Sequence, residues 1–415
     1  MDAYDVAIVG GGPAGLSCAI HAARPGCSVA LFEKNTRPGA KLLLAGTGQC
    51  NITHAGDIRD FVDHYGSHGK FVRPALMAFP NSSLIRFFAE RGLAVMTEAN
   101  GKVFPTTRSS ADVLEVLLRE CRIHRVLFRF SETVLAIDRD TEEFRVTTGS
   151  GTCHARSVVI TTGGASYPKT GSSGDGYRLA AALGQPVTET GPALAPLVIR
   201  EYPFASLAGI SCEKAPFTLW RDGKKAGSYR GDLLFTHTGL SGPGILDASR
   251  DIRAGDTLRL SFVGEISRET FAAQLARLMQ ENGPRLVRTV LAGSGIPDRL
   301  LRQVLAISRV PDDLTCAHLA AEQRKDLVAN CTEFPLVVER LGDLSIAMAT
   351  RGGVALEHVN AKTMESKLVP GLFFAGEVLD IDGDTGGYNI QAAFSTGFLA
   401  AEGIRKRMET AGNRA

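Results

Sequence analysis

Val6-Ala7-Ile8-Val9-Gly10-Gly11-Gly12-Pro13-Ala14-Gly15 is the stretch whose reading decides the fold of this chain. Its first four residues are short, apolar and largely β-branched, as in a strand buried on both faces of a parallel sheet. Glycines follow at 10, 12 and 15 in a G-x-G-x-x-G pattern, and the helix formers Leu16 to Arg24 come directly after. The glycines therefore occupy a strand-to-helix turn, the setting in which this pattern holds a dinucleotide. Gly10 makes the tight turn, Gly12 lets a pyrophosphate approach the main chain, and Gly15 permits close helix–strand packing. The first helical turn, which includes Ala14, offers unpaired N–H groups and a positive dipole end to phosphate.

A second strand, Ser28 to Phe32, ends at Glu33, followed by Lys34. A carboxylate about 20 residues beyond the glycines grips the ribose hydroxyls of an adenosine, and it disfavours a 2′-phosphate. The spacing thus predicts FAD or NAD in preference to NADP. Three later segments share this glycine-rich character. Lys41 to Asn51 has two glycine turns among polar residues and reads as a ligand-facing loop or as an irregular connector. Val158 to Gly164 is an apolar strand closing on a glycine pair, continued by Tyr167 to Gly176. Gly371 to Glu377 is a strand ending on a carboxylate; a glycine-rich loop and a helix from about Ile390 to Met408 follow. A carboxylate there can bond a ribityl chain, and the helix start can stabilise negative charge on a flavin ring.

The remaining composition narrows the class. At 415 residues the chain has room for two or three domains. With 44% hydrophobic and 22% charged residues it reads as globular with a sizeable core. A net charge of +2 is too mild to argue for nucleic acid or membrane, although it leaves room for a local basic patch. Eight cysteines lack any C-x-x-C pair, so reduced thiols are expected and a metal site is not. The N-terminus has neither the basic nor the long apolar region of a signal peptide, and no run reaches the length of a membrane span. The expectation is a cytoplasmic protein that does not engage a membrane.

The middle of the chain changes texture. Residues 196–265 are strand-rich, with Asp222-Gly223 and Gly231-Asp232 read as turns. Residues 266–344 read as helical to about Arg340. The expected fold class is therefore α/β. A discontinuous Rossmann-type FAD-binding domain, of the two-dinucleotide flavoprotein type (residues 1–195 and 345–415), is interrupted by a β-barrel-like unit and a helical cluster. Trp220, Arg221, Lys224, Lys225, Tyr229 and Arg230 interleave aromatics with cations, a pattern that can bind RNA or simply be a solvated hairpin tip.

The sequence resembles the BaiN/YhiN-like family of NAD(P)/FAD-dependent oxidoreductases, also labelled aminoacetone-oxidase-like, over essentially its whole length. The resemblance rests on Val9 to Gly15, Lys41 to Asn51, Gly101 to Pro105, Thr162 to Gly176, Leu233 to Pro243, Lys362 to Lys367 and Gly376 to Gln391. It departs in the glycine loop, where Ala45, Thr47 and Gln49 replace the Ser, Asn and Arg usual in the family. The missing arginine removes a cation that flavin or substrate could meet. The resemblance implies non-covalent FAD held by Gly10, Gly12, Ala14, Gly15, Glu33, Lys34, Lys41, Asn51, Val134, Gly376, Glu377, Gly387, Asn389 and Ile390. No second G-x-G-x-x-G is present for a nicotinamide domain, so NAD(P)H is expected to dock transiently, or an external reductase supplies the electrons.

The chemistry so implied is hydride addition to a polarised C=C bond, with a small enone or a uridine in ribosomal RNA as substrate. The alternatives are an amine or aminoketone oxidase and a non-catalytic flavin-binding redox protein. Cys50 and Tyr388 are the candidate catalytic residues. A buried inert thiol and a ring packed on the cofactor are their respective bland readings. His237 lines the substrate side or is a hydrogen-bonded structural histidine.

Overall fold

The computed structural model describes residues 2–140 and 142–412. Their packing separates two compact units, Met1–Pro192 with Ala347–Ala415, and Ala193–Ile346. In the first unit the opening strand Ala3–Val9 lies inside a seven-stranded sheet. The strand order is Leu127–Phe130, Val29–Glu33, Ala3–Val9, Gly151–Ile160, Glu143–Thr148, Val134–Asp140, and Leu372–Phe374 also pairs with Gly151–Ile160. Val6 registers in parallel with Val29, and Ala7 with Val158. Every residue of Val29–Glu33 is buried, as a parallel strand covered on both faces requires. This is the Rossmann-type sheet the opening residues predict.

The helix Pro13–Ala22 leaves the glycine turn and packs against the C-terminal helix Tyr388–Gly412. Their backbones meet: a Cβ on Gly397 would lie 2.3 Å from the Ala14 carbonyl oxygen. Ser17 Oγ donates to the Phe394 carbonyl at 2.9 Å. The last helix is thereby fixed beside the first turn of the chain, across 377 residues of sequence separation.

The second unit contains a closed barrel of strands Leu197–Ile199, Gly239–Ser241, Lys224–Phe235, Ser211–Arg221, Thr257–Leu260 and Phe334–Leu341. Leu197 pairs with Leu341 to close it. Helices Arg268–Glu281, Val287–Leu291, Asp298–Ile307 and Ala321–Thr332 lie between the last two barrel strands in sequence. Phe334–Leu341 corrects the reading of a helical run to about Arg340. Phe334, Leu336 and Val338 are buried and alternate with more exposed neighbours, a period of two that the adjoining helix-rich text concealed.

A second correction concerns Gly231-Asp232. Asp222-Gly223 is a turn with both residues at positive φ, as expected. Gly231 instead lies within the strand Lys224–Phe235, where its missing side chain lets the helix Pro243–Ala248 press on the backbone. A Cβ at Gly231 would sit 2.5 Å from Gly244 Cα. Gly231→Ala is therefore expected to destabilise this unit by about 1–3 kcal/mol, the usual cost of overpacking. Thermal melting checks this; an unchanged melting temperature would show that the two backbones separate freely.

Candidate functional site

The glycine turn is built so that each glycine meets a different neighbour. Gly10 has φ +108°, and a Cβ there would lie 2.6 Å from Thr161 O. At Gly15 a Cβ would fall 2.0 Å from Gly10 O, so this glycine is what lets the helix start close on the strand. Gly12 is the exception: a Cβ on it would meet no protein atom within 4 Å. The space over Gly12 is open, at the start of a helix with proline in its first turn and no side-chain cap. Open room and unpaired N–H groups at one point fit an incoming pyrophosphate.

Glu33 stands beside this turn and is 8% exposed. Its Oε2 accepts from Gly11 N–H at 2.9 Å and its Oε1 from Asn35 N–H at 2.8 Å. Two backbone donors fix the carboxylate, and each oxygen keeps a lone pair for a ribose hydroxyl. Backbone bonds from Ser131 to Asn35 O and from Glu132 to Glu33 O bring the chain into Val134, which is buried. Lys34 turns elsewhere: its ammonium bonds Asp175 at 2.6 Å and Ser173 Oγ at 2.5 Å.

At the other end of the candidate site Lys41 and Glu377 form an ion pair at 2.7 Å. Lys41 also donates to Ser166 Oγ, while Glu377 accepts from Ser166 Oγ and from Thr350 N–H. These two residues, separated by 336 positions, thus tie four segments into one polar node. Asn51 contributes a buried Oδ1 with no hydrogen-bond partner among the described residues, an acceptor of the kind a bound group would satisfy. Gly376 lies against Ala14, where a Cβ would come 2.8 Å from the alanine methyl. Gly387, with φ +99°, lies against Thr53, where a Cβ would come 2.6 Å from the carbonyl. Asn389 uses its side chain to clamp the loop, accepting from Gly383 N–H and donating to Gly383 O, both at 2.8 Å. Its contact with a ligand is therefore left to main-chain N–H groups at the helix start, shared with Ile390; the first helical bond begins only at Gln391. The glycine turn, the Glu33 carboxylate and the Asn51 acceptor fit a bound FAD.

Sequence reasoning placed Tyr388 near the chemistry without seeing its surroundings. The Tyr388 ring is buried and sandwiched, its plane 17° from both His64, with centroids 3.9 Å apart, and His54, at 5.2 Å. Phe61 packs edge-on, and Tyr65 donates its hydroxyl to the Tyr388 carbonyl at 2.8 Å. The two histidines differ in their bonding. His54 has both ring nitrogens on backbone carbonyls, of Ala55 and Asn100. His64 Nδ1 is held by Asp384 Oδ2 at 2.8 Å, and the side chain is 38% exposed. Asp384 also binds through its N–H to the His64 carbonyl. A partly exposed imidazole held by a carboxylate is an arrangement that can serve as an acid or base. His64 lies outside every motif of the sequence, Asp384 lies unremarked in the glycine-rich loop before the last helix, and the two are 320 positions apart.

Cys50 has no exposed surface, and burial pushes its thiol up to about 12. A buried, protonated thiol at a backbone φ of +59° favours the reading of Cys50 as an inert packing residue. Cys50→Ala is expected to retain FAD and turnover. In mildly alkaline buffer a thiol reagent should label the less buried Cys27 and Cys212 before Cys50; rapid labelling of Cys50 in the folded protein would contradict this.

Gln49, where the resemblance leads to the expectation of an arginine, is itself bonded by a cation. Arg108 donates to Gln49 Oε1 at 3.1 Å, pairs with Glu98 and stacks over the Phe104 ring. The lost loop arginine is thus accompanied by a guanidinium arriving from another segment. His237 sits exposed in the turn between two strands of the barrel.

A family profile described as HI0933-like protein Rossmann domain matches residues 4–403. The ribosomal RNA dihydrouridine synthase of Escherichia coli (strain K12) is 28% identical over 417 residues, covering 97% of this chain and 98% of that protein. The 3-dehydro-bile acid delta(4,6)-reductase of Clostridium scindens is 29% identical over 415 residues, covering 97% and 99%. Among solved structures, E. coli quinol fumarate reductase aligns with TM-score 0.53 at 17% identity, covering 99% of this chain and 72% of that one. A 3-ketosteroid delta1-dehydrogenase from Sterolibacterium denitrificans aligns with TM-score 0.51 at 11% identity, covering 98% and 100%. These structural likenesses concern the fold. Among the described residues no helix is long and apolar enough to cross a membrane.

Proposed function

We propose that this chain, which belongs to the HI0933-like Rossmann-domain family of FAD-dependent oxidoreductases, reduces a carbon–carbon double bond conjugated to a carbonyl. The observation that carries the reading is the His64–Asp384 pair at the meeting point of three segments. These are the loop that leads through Asn51 to His54, the stretch Phe61 to Tyr65, and the glycine loop before the last helix. When bound and already reduced, FAD would supply a hydride for one carbon of such a bond. The chain must then hold substrate and provide a proton for the neighbouring carbon or its carbonyl. His64 holds that proton, Asp384 fixes the ring through Nδ1, and the Tyr388 face keeps it from turning.

The proposed cofactor contacts are Gly10, Gly12, Ala14 and Gly15 at the pyrophosphate, with Glu33 and Val134 at the adenosine. Lys41, Asn51, Gly376, Glu377, Gly387, Asn389 and Ile390 are assigned to the flavin end. Lys34 acts indirectly by holding Asp175 and Ser173 beside the Glu33 turn. NAD(P)H is the proposed reductant, docking transiently. Stopped-flow mixing with NADH, NADPH or a primary amine discriminates: bleaching by a nicotinamide supports the reductase, and bleaching by amine alone supports an oxidase.

Ribosomal RNA is the proposed source of the double bond. Two relatives, from E. coli and Haemophilus influenzae, carry the name ribosomal RNA dihydrouridine synthase, and a uracil ring presents the required conjugated bond. The second reading is a small enone, favoured by the bile-acid reductase of similar identity. Deleting the gene and measuring ribosomal RNA nucleosides by mass spectrometry separates them. Loss of dihydrouridine, restored by the gene, supports RNA; an unchanged content returns the assignment to small enones.

A further inference from the structure

We infer that an arginine-lined groove on the helix Asp298–Ile307 docks the phosphate backbone of single-stranded RNA, an inference that rests on the RNA reading above. Leu300, Leu301, Val304 and Leu305 bury one side of this helix. Arg299, Arg302 and Ala306 occupy the exposed side, and Arg309 follows just past the helix end at φ +60°. Together with Ser206 and Gln303 they line a groove of 690 Å³ in which Asp312 is the single carboxylate. From residue 299 to 309 the path is roughly 15 Å at helical rise, long enough for more than one phosphate. Guanidinium groups suit this ligand because their planar fork bonds phosphate oxygens in pairs.

The present partners of these arginines are replaceable. Arg299 donates to the Ser206 carbonyl. Arg302 pairs with Asp298 at 3.0 Å, with both side chains more than half exposed. Arg309 pairs with Asp326, and its own side chain is 70% exposed. Exposed pairs of this kind contribute little and exchange readily for a polyanion.

In the hairpin that the sequence marks for RNA, Arg221 and Trp220 are bonded differently. Arg221 makes two bonds to Asp256, which is 3% exposed, and a third to the Asp251 carbonyl. Arg230 pairs with Glu265, and the Trp220 ring is covered by Arg259 at 4.0 Å. Of that cluster, Lys224 and Lys225 are exposed cations at the tip, and Arg230, in an exposed pair with Glu265, is exposed as well. Arg221, tied to a buried carboxylate, is thus held more firmly than the groove arginines.

The test is fluorescence anisotropy of a labelled oligouridylate with the FAD-loaded holoenzyme across a salt series. The wild type should bind with a salt slope, and Arg299→Ala/Arg302→Ala/Arg309→Ala should lose about 10- to 100-fold in affinity and about 2 units of that slope. Ala306→Glu, which places a carboxylate in the groove without removing any bond, should weaken binding in the same direction. Lys224→Ala/Lys225→Ala should have a smaller effect. Binding by the wild type that neither the triple variant nor Ala306→Glu alters would overturn the groove assignment. A wild type that fails to bind even at low salt would overturn the RNA reading itself.

Discussion

Replacing Gly12 with valine is expected to give a folded protein without flavin. Gly12 has φ −77° and ψ −178°, a conformation that valine adopts without strain. A Cβ there meets no protein atom within 4 Å, so the substitution does not disturb the sheet or the helix it caps. The added methyl groups instead fill the room that a pyrophosphate needs to reach the helix N–H groups. Gly15→Val is the contrasting variant, because its Cβ would collide with Gly10 O at 2.0 Å and break the turn itself. The pair separates binding from folding. Gly12→Val should melt near the temperature of FAD-stripped wild type and show no flavin absorbance, whereas Gly15→Val should melt well below it and also lack flavin. A yellow Gly12→Val protein with its FAD intact would refute the placement of the cofactor.

His64→Gln is expected to lower substrate reduction by about 10²- to 10⁴-fold, the usual share of a positioned acid or base. FAD content and flavin reduction by dithionite should be unchanged, since the glycine turn and the Lys41–Glu377 node do not depend on this ring. Asp384→Asn should cause a smaller fall in the same direction, because the carboxylate orients the imidazole and carries no proton to substrate. His64→Ala with added imidazole gives a readout that a purely structural role would not produce. Recovery of turnover in proportion to imidazole supports proton transfer; full activity in His64→Gln would exclude it.

What could be read from the sequence was local. The strand Ala3–Val9, the glycine turn and Glu33 lie within the first 33 residues, and each carries its physical reason in its own neighbours. The barrel was legible as alternating text up to Leu260, but its closing strand Phe334–Leu341 returns after four helices. Short apolar alternation in helical surroundings is weak evidence of a strand. Gly231 was misread because a glycine needed for close backbone approach and one needed for a turn are written identically. The chemistry-bearing pair was invisible for a different reason. His64 and Asp384 acquire meaning only when the last helix packs on the first and brings their loops together. The same holds for Arg108, whose contact with Gln49 spans 59 positions. Cys50 stood out in sequence because of the loop it occupies, and its burial could not be read there.

The most direct test of the central claim is a single turnover under anaerobic conditions. Holoenzyme reduced in advance would be mixed with a 3-keto-4-ene steroid or with ribosomal RNA from the deletion strain, following the return of flavin colour and the mass of the product. Colour should return with at least one of these acceptors, and the acceptor should gain two hydrogens across its conjugated double bond. Flavin that stays bleached with both conjugated acceptors, yet is reduced by an amine and reoxidised by oxygen, would contradict it.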